Sequence, residues 1–178
     1  MTGYLLDTNI VSYWFTDGSS EHERVNQYVL SLPEDSLLAI SAITLGEIEY
    51  GHRAVSADET FKQRAFTDFI DEQLPTVLNV TSSTRIYYGR LRADLFAKFC
   101  LASKKRAGLR PEQLIDPVTS LTLGIQENDL WIAAQALEYN LSWLRPTGCR
   151  GSERSPRTLT WKTGPPDPLT GCACKSAQ

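Results

Sequence analysis

Three short apolar runs, each followed by stretches of helical period, constrain what this chain can fold into more than any other feature. Tyr4-Leu5-Leu6 ends in Asp7, Leu37-Leu38-Ala39-Ile40-Ser41 follows Pro33, and Val77-Leu78-Asn79-Val80 follows Pro75. Runs this short, apolar throughout and bounded by breakers, read as strands buried on both faces. Strands that alternate with helices call for an α/β domain with a mostly parallel sheet. In such a sheet ligands bind beyond the carboxyl ends of the strands. Asp7 stands at one of those ends.

The intervening segments read as helices. Thr8 to Phe15 places Ile10, Val11, Trp14 and Phe15 at helical spacing. Residues 21–32 put Val25, Tyr28, Val29 and Leu32 on one face, and Pro33 stops them. Residues 43–54 carry Glu47. Residues 57–74 show a stripe of Phe61, Ala65, Phe66, Phe69 and Ile70, and residues 82–103 turn Ile86, Leu91, Leu95 and Phe99 inward. Residues 104–127 hold Gly108, Pro111, Pro117 and Gly124 without a sustained period, which reads as a long loop or insertion. Residues 128–139 return to a clear helix, with Leu130, Ala133, Ala134 and Leu137 on its inner face.

After Asn140 the character changes. Leu141-Ser142-Trp143-Leu144 still suits a strand, but the rest is rich in proline and glycine and has no apolar period. The charge changes with it. Residues 1–140 carry 12 Lys+Arg against 19 Asp+Glu, a net of −7, and residues 141–178 carry 6 against 2, a net of +4. The expected division is therefore a domain over 1–144 and an atypical tail with little regular structure over 145–178. Cys149, Cys172 and Cys174 lie in that tail at a spacing that suits zinc poorly. No apolar run reaches the roughly 18–20 residues of a membrane span, and no basic leader precedes the first strand, so a cytoplasmic protein is expected.

The chemistry points to carboxylates. Asp7 ends a strand and opens a helix, Glu47 lies on a helix that follows a strand, and Asp129 lies in the first turn of a helix. Converging carboxylates with open coordination positions hold Mg²⁺ or Mn²⁺. Such an ion lowers the pKa of a bound water and polarises a phosphodiester oxygen, so no nucleophilic side chain is required. Taken singly, each acid also has a plainer use: Asp7 and Asp129 as helix caps, with Asn128 competing for the second cap, and Glu47 as a surface residue. His22 and His52 lie in polar helical contexts that suit exposure better than catalysis. Lys104, Lys105 and Arg106 open a basic stretch that suits either a solvated loop or contact with substrate phosphates. The acidic body argues against a large electrostatic footprint on nucleic acid.

Three segments, in order, resemble the PIN domain of VapC-type toxins: Tyr4-Leu5-Leu6-Asp7-Thr8-Asn9, Ser41-Ala42-Ile43-Thr44-Leu45-Gly46-Glu47-Ile48-Glu49-Tyr50-Gly51, and Asn128-Asp129-Leu130-Trp131-Ile132-Ala133-Ala134-Gln135-Ala136. The resemblance covers residues 4–140. It implies a Rossmann-like α/β/α sandwich and an RNA endonuclease that uses Mg²⁺ or Mn²⁺. It also implies an antitoxin partner and a homodimer. By position, Asp7, Glu47 and Asp129 match the family's metal-binding acids, and Thr8 matches the hydroxyl residue that follows the first of them. An inactive PIN-fold module that still pairs with an antitoxin is the alternative.

The family pattern then breaks. A fourth acidic or polar position belongs after the next strand, and Trp143 to Arg150 holds no carboxylate. The residues themselves suggest why. Trp143 to Cys149 back-translates as TGG TTA CGT CCG ACC GGC TGT. Read one base earlier, from a Ser142 codon ending in C, it becomes Leu-Val-Thr-Ser-Asp-Arg-Leu, which restores a strand and an acid. Thr160 to Gly164 read in the same frame yields Leu-Glu-Asp-Trp, which resembles the family's ending. Two restorations in one frame and in the right order point to a one-base frameshift near codons 141–142. That shift accounts for the basic, proline-rich tail and predicts reduced activity for the chain as written.

Overall fold

A computed structural model describes residues 2–55, 60–74, 76–100, 108–146 and the strand at 156–159. Four parallel strands form the centre: β1 (Gly3–Leu6), β2 (Leu37–Ser41), β3 (Thr76–Leu78) and β4 (Ser142–Pro146). A fifth, β5 (Pro156–Leu159), runs antiparallel on the edge, and the order across the sheet is β3-β2-β1-β4-β5. The helices are α1 (Thr8–Phe15), α2 (Ser20–Leu30), α3 (Ala42–Val55), α4 (Thr60–Gln73), α5 (Thr84–Phe99) and α6 (Glu127–Glu138). The expected α/β/α sandwich is what forms.

Alternation along the strands builds the three layers, because successive side chains leave opposite faces of a strand. Leu6, Ile40 and Leu144 face one way, into a core with Ile10, Val11 and Trp14 of α1, Val25 of α2, Ile48 of α3 and Phe66 and Ile70 of α4. Leu5, Ala39 and Trp143 face the other way, against Leu91 of α5 and Ile132, Ala133 and Ala136 of α6. Both faces are covered, which is why the strands read as continuous apolar runs.

The predicted stripes hold with two corrections. Phe61 of α4 is 82% exposed and Ile86 of α5 is 65% exposed, although both were expected inward. Phe61 lies in the first turn of α4, and Ile86 stands five residues before Leu91, roughly 140° round the helix from it. The described part of the 104–127 loop is also better anchored than its composition suggests. Leu114 and Ile125 are buried with Leu95, Phe96 and Leu130, and an isolated antiparallel bridge joins Ile115 to Thr122. A turn closed by Asp116 lies inside that bridge: its Oδ1 accepts from Val118 N at 2.8 Å.

Little regular structure was expected over 145–178; in its described residues β4 continues to Pro146 and β5 pairs with it from Trp143↔Leu159 to Pro146↔Pro156. Backbone pairing needs no side-chain period, so composition gave no sign of it. Cys149, Cys172 and Cys174 lie outside the described residues.

Candidate active site

The strand order places the site. From β1 the chain builds outward to β2 and β3, then crosses back to lay β4 on the other side of β1. The crevice at such a reversal, beyond the carboxyl ends of the two strands, is where open parallel sheets bind ligands. Asp7 follows β1 at that point, and its amide donates to the Leu144 carbonyl of β4 at 2.9 Å.

Asp7 is 4% exposed. It does cap α1, as its sequence context allows: Oδ1 accepts from the Asn9 amide at 3.0 Å and from Asn9 Nδ2 at 3.2 Å. Burial pushes its carboxyl above the ordinary range. The cap and Arg145 oppose that push, and the charge of Asp129 adds to it.

Asp129 enters from the other side of the crevice. α6 begins at Glu127, so Asp129 is its third residue, and Oδ2 accepts from the Gln126 amide at 2.8 Å. The cap therefore falls at Gln126, two residues before Asn128, which lies inside the helix. Burial also raises the Asp129 carboxyl. The bond to Gln126 and the charge of Arg145 lower it, while Glu47 and Glu112 raise it further.

Glu47 is half-buried on α3 and held from two directions. Thr8 at the start of α1 donates its hydroxyl to Oε2, and Asn128 Nδ2 donates to Oε1 at 2.7 Å. This carboxylate ties α1, α3 and α6 together. Glu49, one residue beyond Ile48, is exposed and pairs with Arg53 instead.

The structure thus brings Asp7, Glu47, Asp129 and Thr8 to one crevice. Lys104, Lys105 and Arg106 lie outside the described residues. The histidines are structural rather than exposed. His22 Nδ1 lies 2.7 Å from the Trp14 carbonyl, and the His52 ring packs edge-on against Phe66 at 5.2 Å.

The donor set fits a hard divalent cation in kind. Its atoms are carboxylate oxygens, and Asp7 and Asp129, raised first by burial, are raised further by neighbouring acids, so like charge converges here. The fit in arrangement is partial. Among the described residues, no three Asp, Glu, His or Cys side chains stand together as a ready ligand set. Glu47 gives both oxygens to Thr8 and Asn128.

Three contributors were missed in the sequence. Asn128 steers Glu47, and its place beside Asp129 was the available clue. Gln135 is fully buried beneath the site, accepting from Ser41 Oγ at 2.6 Å and donating to the Leu78 carbonyl at 3.0 Å, so it locks α6 to β2 and β3. Arg145 follows the strand pairing and had no signal of its own.

The sequence model of the PIN domain family matches residues 4–145. The chain belongs to the PIN domain family. PIN domains are nucleases, and the matched span takes in all three acids. Among solved structures, the chain is similar to VapBC2 from Rickettsia felis bound to a DNA fragment from its promoter. Identity is 25% and the TM-score 0.57, over 80% of this chain and 85% of that one. VapBC-1 from nontypeable Haemophilus influenzae gives 25% and 0.54, over 80% and 84%. FitAcB from Neisseria gonorrhoeae gives 22% and 0.51, over 79% and 84%, a likeness of fold. No curated protein sequence matches the chain. The resemblance to VapC-type PIN domains read from three motifs therefore holds. Among the described residues, no helix of this PIN domain is long and apolar enough to cross a membrane.

Proposed function

We propose that this chain is the toxin half of a toxin–antitoxin pair, a divalent-metal-dependent endoribonuclease that hydrolyses RNA in the cytoplasm. The observation that carries this reading is the convergence of buried Asp7 and half-buried Asp129 at the strand-order reversal, each carboxyl raised by burial and further by the other acids around it, with Glu47 beside them. Asp7, Glu47 and Asp129 would hold Mg²⁺ or Mn²⁺. When bound, such an ion supplies an activated water and a polarised phosphodiester oxygen. Thr8 and Asn128 orient Glu47, and the Gln126 amide orients Asp129. Lys104, Lys105 and Arg106 are proposed to meet the substrate's phosphates. The similar VapBC structures support an antitoxin partner, and a homodimer is part of the same reading.

A second reading has a specific observation in its favour. The end of β4 brings an arginine, Arg145, rather than a fourth acid to the crevice, which suits a disarmed PIN module that keeps its antitoxin.

The test is Mg²⁺- or Mn²⁺-dependent cleavage of a mixed RNA pool by three proteins: this chain, Asp7→Asn, and a version with the reading frame restored after codon 142. Cleavage by this chain, lost in Asp7→Asn, supports a working nuclease. Cleavage by the restored version alone supports the disarmed module. If the restored version is also silent on RNA, the nuclease reading fails.

A further inference from the structure

Arg145 has no part in the reading above, yet the fold delivers it to the acidic crevice. β4 pairs in parallel with β1 so that Leu144 lies opposite Leu6. Arg145 is therefore the β4 residue level with Asp7. It leaves the strand on the same face as Trp143, two residues back, and that face is the one α6 covers. The N-terminal turn of α6 carries Asp129.

The side chain is positioned as well as delivered. Its guanidinium carbon lies 4.7 Å from the centre of the Trp143 ring. Trp143 is buried in the core, so the stack fixes the cation on a rigid platform. The other nearby arginines are directed elsewhere. Arg92 binds Glu127 through Nη1 at 2.5 and 2.6 Å, and Arg110 acts on Glu112. Arg145 acts on both Asp7 and Asp129.

We infer that Arg145 is the resident cation of this site, neutralising Asp7 and Asp129 in the metal-free protein and weakening their hold on a divalent ion. A guanidinium keeps its proton at any working pH, so its charge cannot be switched off. A divalent ion must either displace the side chain from the crevice or bind against its repulsion. The half of the inference that concerns metal rests on the nuclease reading; the half that concerns the metal-free protein does not.

The experiment has two arms on the full chain. In the first, Mn²⁺ is titrated by calorimetry into the native chain, Arg145→Gln, Arg145→Lys and Asp7→Asn. Removing one fixed charge this close to a dication should tighten Mn²⁺ binding about tenfold in Arg145→Gln, with Arg145→Lys staying near the native value. Equal affinities in the native chain and Arg145→Gln, both abolished by Asp7→Asn, overturn the inference and leave the metal site standing. The second arm compares melting temperatures in EDTA for a cycle of Arg145→Gln, Asp7→Asn and the double variant. A resident cation makes Arg145→Gln costly on the native background and clearly less costly on Asp7→Asn, where only Asp129 remains to be neutralised. Equal cost on both backgrounds means the arginine only packs on Trp143, and the inference is overturned. Absence of Mn²⁺ binding in every protein defeats the metal reading, and this second arm then decides the role of Arg145.

Discussion

At the scale of single residues, the site is a place where stability is given up. Asp7 and Asp129 are both raised above the ordinary carboxyl range, chiefly by burial. The sign follows from proton linkage: a raised carboxyl binds its proton more tightly folded than unfolded. Its favourable contribution is complete below the unfolded value, near pH 4, and is lost as pH rises through the raised folded value. In EDTA the chain should therefore melt at a higher temperature in mildly acidic buffer than at neutral pH. Asp7→Asn should flatten that dependence and raise the neutral-pH melting temperature, since an amide oxygen still accepts from the Asn9 amide while the buried charge is gone. A melting series across pH in both proteins checks this, and a steeper dependence in Asp7→Asn would contradict it. Asn128→Ala makes a different claim. It releases Glu47 Oε1, so RNA cleavage should fall at least tenfold while unfolding stability changes by only about 1 kcal/mol.

At the scale of elements, the support for the site lies in a buried polar link rather than in apolar packing. Gln135 joins Ser41 on β2 to the Leu78 carbonyl on β3, and Ser41 also accepts from the Ile43 amide at 3.0 Å where α3 begins. One amide side chain thus fixes the helix bearing Asp129 relative to the strand that leads into the helix bearing Glu47. Gln135→Leu keeps the volume but strands a buried hydroxyl and a carbonyl, at a cost of about 2–3 kcal/mol in urea unfolding. A change under 0.5 kcal/mol would show that water or a rearranged Ser41 takes over. The elements also show what the sequence could and could not announce. α1 and β2 match their predicted bounds because Asp7 and Pro33 punctuate them, and because apolar runs leave no register choice. Phe61 and Ile86 were misplaced for different reasons: Phe61 sits in the first turn of its helix, and Ile86 lies off the face that Leu91 and Leu95 share. Asp7, Glu47 and Asp129 were legible as acids at the ends of elements. Asn128, Gln135 and Arg145 were not, because their roles depend on partners between 57 and 94 positions away, for Asn128 and Gln135, or on the pairing of β4 with β1.

At the scale of the whole molecule, the PIN match ends at residue 145, where the composition turns basic and proline-rich. We propose that a one-base shift near codons 141–142 wrote everything from Trp143 on, the last three residues of the match included. An independent determination of the gene sequence checks the codons directly, and codons that cannot yield Leu-Val-Thr-Ser-Asp in the neighbouring frame would end the idea. The restored protein should also melt higher than this chain, since the family's own last strand would pack on β4 in place of β5. No gain in melting temperature would mean that β5 serves the sheet equally well.

The strand order has a consequence in time. Within the matched domain Asp7 leaves the ribosome early, but the strand that closes its side of the crevice, through the Leu144 carbonyl, is among the last. α6, with Asp129, emerges only shortly before it. A nascent chain still attached to the ribosome therefore lacks one wall of the candidate site. A fold that laid its strands down in simple succession would complete such a crevice halfway through the domain; on the nuclease reading proposed above, this one stays unarmed until almost all of the matched domain is made.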